Sequence, residues 1–66
     1  MKDWIQVYSS NKTIEVEYVR TLLADAGIDS VPVSQKDSSY IFGEIVLFVN
    51  EENAIEAKLI ITSNNL

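Results

Sequence analysis

Five consecutive apolar residues, Ile45-Val46-Leu47-Phe48-Val49, lie between a Gly43-Glu44 break and an Asn50-Glu51-Glu52 cluster. A short run of this kind reads as a strand that is apolar on both faces, which belongs in the middle of a sheet. One face must meet helices and the other must meet something as well. In a chain of 66 residues, what covers that second face is the main functional question.

The residues on either side supply the rest of the sheet and its helices. Ile5 and Val7 alternate with Trp4, Gln6 and Tyr8, the period-two pattern of a first strand. Ser9-Ser10-Asn11 then offers helix-capping side chains, and an opening helix N-terminus there could also hold an anion. From Lys12 to Ala26 the pattern turns helical, with Val16, Val19, Leu23 and Ala26 in one stripe and Leu22 at its border. Glu15, Glu17 and Arg20 fall off that stripe, and Gly27 ends the helix.

Ile28 to Gln35 reads as a second strand carrying Val31 and Val33. Pro32 lies within it, and a proline cannot donate to a ladder, so this strand belongs at an edge or carries a bulge. Lys36 to Gly43 is a polar connection. After the apolar third strand, Asn50 caps a second helix that packs through Ala54, Ala57 and Ile61, with Leu59 and Ile60 flanking. Residues 62–66 read as a short frayed tail.

Strand, helix, strand, strand, helix is the split βαβ order of a ferredoxin-like α+β domain, spanning residues 1–66, without a final strand. The expected sheet is three-stranded and antiparallel in the order 1-3-2, with both helices on one face. Ile5, Val7, Val31, Val33, Ile45, Leu47 and Val49 would face the helices. Trp4, Gln6, Tyr8, Val46 and Phe48 would then share the helix-free face, whose Trp4, Tyr8, Val46 and Phe48 form a candidate interaction surface. Cover by the tail or by the 36–43 connection is the other reading.

Composition limits the chemistry. A domain of this size hides only about 60% of the surface its unfolded chain exposes, and small domains usually add disulfides, a metal or self-association. Cysteine and histidine are both absent. Disulfides and thiolate zinc are therefore excluded, together with the commonest proton shuttle and metal ligand. Burial against a second copy or a protein partner is the remedy left.

Ten acidic residues against five basic ones give a net charge of −5, which disfavours nucleic acid and anionic membranes as partners. No apolar stretch approaches the roughly 20 residues of a bilayer span, and the amino terminus lacks a signal-peptide pattern, so a cytoplasmic location is expected. Neither Glu15/Glu17 nor Glu51/Glu52 is spaced to share a proton across a substrate, and no glycine-rich phosphate loop exists. The expectation is a non-enzymatic protein with no catalytic residues, metal or cofactor.

One segment stays open as a small-ligand loop. Lys36, Asp37, Ser38, Ser39, Tyr40 and Phe42 place a cation, an anion, two hydroxyls and two aromatics in one connection ending at Gly43-Glu44. Ordinary turn formation accounts for Asp37 and Ser38 equally well.

Trp4 through Ser9, the helix with Val16, Leu23 and Gly27-Ile28, Asp37-Ser38, Gly43-Glu44-Ile45, Leu47, Val49 and Ala57 resemble a bacterial family. It is the "putative prokaryotic signal-transducing protein" family, which is ferredoxin-like and related in shape to the PII nitrogen regulators. The resemblance spans nearly the whole chain and implies a cytoplasmic sensor or regulator. PII regulators bind ATP and 2-oxoglutarate between the subunits of a trimer, using a long loop and basic residues. Here the connection is short and Lys36 is its only cation, so nucleotide binding does not carry over, and the missing fourth strand, which helps shape subunit contacts in the larger relatives, leaves trimerisation open.

Overall fold

The computed structural model describes residues 3–35 and 43–66. The chain runs β1 (Trp4–Ser10), α1 (Thr13–Asp25), β2 (Ser30–Gln35) and β3 (Glu44–Asn50). A 3₁₀ turn (Glu51–Asn53) then leads into α2 (Ala54–Ser63). The strands form one antiparallel sheet in the order β1-β3-β2, as expected, so the apolar third strand is central and the proline-bearing second strand is an edge. Among the described residues no helix is long and apolar enough to cross a membrane.

The core lies between one sheet face and the two helices. Val16, Val19 and Leu23 of α1 meet Leu47 and Val49 of β3 and Ala54, Ala57 and Ile61 of α2. The two alanines present little side chain, which lets α2 approach the sheet closely. Ile5, Val7, Tyr8, Ile45 and Ile60 complete the rim of this cluster. Ala26, expected as the last member of the α1 stripe, is instead the exposed C-cap residue.

Ile28 takes the place Ala26 was expected to fill. Gly27 adopts a left-handed φ of +80°, the Ile28 N–H donates to the Leu23 carbonyl at 2.9 Å, and the Gly27 N–H donates to Ala24 at 2.9 Å. This Schellman closure turns Ile28 back onto Leu23, and both are buried. The same device ends α2. Asn65 has a φ of 58°, the Leu66 N–H donates to Ile61 at 3.1 Å, and the Asn65 N–H donates to Thr62 at 3.0 Å. The expected frayed tail is therefore a closed helix end.

The start of α1 also differs from expectation. Its N-cap is Lys12, which makes no side-chain capping bond. Ser10 lies within β1, where its hydroxyl accepts from the Lys12 N–H at 3.0 Å and donates to Glu15 Oε1 at 2.6 Å. Asn50 does cap the following turn, its Oδ1 accepting from the Glu52 N–H at 3.2 Å.

Two features of register decide which residues share a face. Gln6 pairs with Phe48 and Tyr8 with Leu47, so Val7 is an unpaired bulge residue. Beyond it the alternation of β1 reverses, and Tyr8 packs against the core cluster instead of joining the helix-free face. In β2, Val31 pairs with Phe48 and Val33 with Val46. These two valines therefore lie on the helix-free side, opposite to the expectation.

The proline explains the second reversal. The Glu51 N–H donates to the Asp3 carbonyl at 2.7 Å, so the odd-numbered residues of β3 bond toward β1 and the even-numbered ones toward β2. Val31 and Val33, opposite the even residues, are the bonded positions of β2. Pro32, opposite Leu47, points its nitrogen off the edge, the one place where a missing donor costs nothing.

Candidate functional site

The helix-free face is built from all three strands. Trp4 and Gln6 of β1 lie beside Phe48 of β3, and Val31 and Val33 of β2 lie on its other side around Phe48 and Val46. Trp4, Val31, Val33 and Phe48 are half-buried. Val46, in the centre, is only 2% exposed although it lies outside the cluster packed by the helices. Of the four residues expected here, Trp4, Val46 and Phe48 share the face and Tyr8 does not.

Sequence reasoning placed Val31 and Val33 on the helix side; Pro32 signals only that the two share a side, and the pairing of β3 with both neighbours decides which. An edge-strand proline must point outward, so its two neighbours must bond inward and share a side.

Charge is sparse on this surface. Among the described residues, Gln6, Ser9 and Asn50 are polar members of this face, and Glu44 stands at its end, paired with Gln35 in the ladder. Glu15, Glu17, Asp25 and Glu56 lie on the helices, and Asp29 lies on the α1–β2 connection. Both sheet edges are blunted for strand addition, β1 by the bulge at Val7 and β2 by Pro32. Leu66 at the end of the tail lies on the helix side, and the reading in which the 36–43 connection covers this face falls on residues outside those described.

Tyr8 instead lines a groove on the helix side together with Ile14, Glu15, Tyr18, Asn65 and Leu66, with a volume of about 480 Å³. Burial, with the Glu15 carboxylate as the smaller cause, raises the Tyr8 phenol above its ordinary value of 10.0. The candidate loop residues Lys36, Asp37, Ser38, Ser39, Tyr40 and Phe42 lie outside the described residues.

The described carboxylates do not form a proton-sharing pair. Glu17 is held by Arg20 at 3.1 Å on the exposed side of α1, and Glu15 by Ser10. Glu51 and Glu52 open the 3₁₀ turn, where the amide dipoles favour negative charge.

These features define an α+β, ferredoxin-like βαββα domain with a largely uncharged apolar sheet face opposite its helices. The model of the family described as "Putative prokaryotic signal transducing protein" matches residues 4–65, and the chain belongs to that family. No curated protein and no solved structure matches it.

Proposed function

We propose that this chain is a non-enzymatic signal-transducing module of the bacterial cytoplasm that self-associates through its helix-free sheet face. The observation that carries the reading is the gathering of Trp4, Val31, Val33, Val46 and Phe48 on one face that the helices do not pack. Val46 is buried at its centre, and the half-buried Trp4, Val31, Val33 and Phe48 around it supply the apolar surface that a partner would cover. A second copy suits it because the chain is acidic overall while this face carries only Glu44 among the described residues. Two copies can stack there with little like-charge repulsion. Small size and the lack of cysteine add a stability reason for pairing.

Sedimentation equilibrium of the wild type and of Phe48→Glu tests the reading. The wild type should sediment at twice the 7.4 kDa chain mass, and Phe48→Glu at the single-chain mass while keeping its circular dichroism. Phe48→Ala should weaken the dimer about thirtyfold, since truncating a central aromatic anchor costs about 2 kcal/mol. Ile55→Glu, on the outer face of α2, should leave the dimer intact. A wild type that stays monomeric at high-micromolar concentration would overturn the proposal.

A further inference from the structure

Besides Ile55 and Leu59 on α2, three exposed large apolar side chains of the described surface gather around one groove. Ile14 is 79% exposed, Tyr18 52% and Leu66 43%, and all three line the groove floored by Tyr8. Ile14 and Tyr18 are one helical turn apart on the outer side of α1, where polar residues would normally sit. The Schellman closure at Asn65 turns Leu66 back toward Ile61, so the opposite wall is held by backbone hydrogen bonds. At about 480 Å³ the groove falls within the roughly 300–1,000 Å³ of ordinary small-molecule sites.

Its polar groups favour positive charge. Glu15 supplies a carboxylate oriented by the Ser10 hydroxyl, which occupies Oε1, and among the described residues Oε2 has Lys12 Nζ at 4.0 Å. Both side chains of that ion pair are largely exposed, and such a pair contributes little and yields readily to a competing cation. Tyr8 and Tyr18 line the same groove as the carboxylate, and aromatic faces attract organic cations. The carbonyl end of α2 borders the groove through Asn65 and Leu66, and the positive pole of α1, whose first turn also borders it, is offset by Glu15 itself. The chain's net charge of −5 raises the local concentration of cations around it.

We infer that this groove binds a small organic ammonium ion, with the charged nitrogen at Glu15 between Tyr8 and Tyr18 and the alkyl portion against Ile14 and Leu66. The site goes beyond the proposed self-association and lies on the opposite side of the sheet. The two therefore stand or fall separately.

The test is an NMR titration of the wild type with n-butylammonium chloride, read at the Tyr18 ring and the Leu66 methyls. Neutral n-butanol, sodium butyrate and sodium chloride at equal ionic strength serve as comparators. Saturable shifts with n-butylammonium alone are expected, weakened about tenfold in Glu15→Gln, whose spectrum should otherwise show the native fold. Phe48→Glu should bind with unchanged affinity. Equal shifts with n-butanol would reduce the groove to a merely apolar one, and equal shifts with sodium chloride would reduce it to charge screening. Either result, or unsaturable binding, overturns the inference.

Discussion

Tyr8 stands opposite Leu47 in the β1–β3 ladder, while Gln6, two residues earlier, stands opposite the adjacent Phe48. The unpaired Val7 between them sends Tyr8 to the helix side, against the core and next to Glu15. One extra residue in β1 thus moves an aromatic ring from the sheet face to the groove beneath α1. It also separates two surfaces of different character, an almost uncharged apolar platform and a carboxylate-bearing groove.

Because Phe48 and Leu47 are consecutive, deleting Val7 would join Gln6 and Tyr8 in an unbroken ladder. We expect the deletion variant to fold and to keep cross-strand nuclear Overhauser contacts between Tyr8 and Leu47. It should lose about 1 kcal/mol for the half-buried valine. Failure to fold would show that the bulge itself, with its added twist, is required.

The two helix ends predict opposite outcomes for small substitutions. Gly27→Ala should destabilise by about 1 kcal/mol, because alanine resists a φ of +80°; a Cβ there meets nothing within 4 Å, so the cost is conformational alone. Asn65→Gly should stabilise slightly, as glycine accepts the left-handed conformation more readily than asparagine. Thermal unfolding checks both, at roughly 4–8 °C per kcal/mol for a domain of this size.

Leu23 is fully buried at the centre of the α1 stripe and also receives the Ile28 amide. Leu23→Ala should cost about 2–5 kcal/mol, set against a total of about 3–10 kcal/mol expected for 66 residues. Urea titration followed by circular dichroism should find it largely unfolded or close to its midpoint without denaturant. A shift below 1 kcal/mol would contradict the described core.

The raised phenol of Tyr8 gives a pH signature. Its ionised form is disfavoured more in the folded chain than in the unfolded one, first by burial and then by Glu15. The corresponding stability is complete below about pH 10 and is lost as pH climbs through the higher native value. Phenolate absorbance should therefore reveal a tyrosine titrating late. Glu15→Gln should bring it only part of the way back, since burial remains, and Lys12, 4.0 Å from the carboxylate, moderates the effect. Loss of the entire shift in Glu15→Gln would show that charge, and not burial, dominates.

What the order of residues determined by itself was the set of elements and their arrangement. Five apolar residues at 45–49 demanded a central strand, Pro32 demanded an edge, and the spacing of Val16, Val19 and Leu23 demanded a helix with one buried side. Ala54, Ala57 and Ile61 were legible for the same reason, because helical periodicity is local and survives without knowledge of neighbours. Which face each β-strand residue occupies was settled only by the assembled sheet. A side chain's face depends on pairing register, and a single unpaired residue inverts everything beyond it. That is why Tyr8 left the apolar platform and Val31 and Val33 joined it. The groove at Glu15 could not be read in advance either, since it brings together β1, the first turns of α1 and the closed end of α2, segments separated by about fifty residues and joined only by packing.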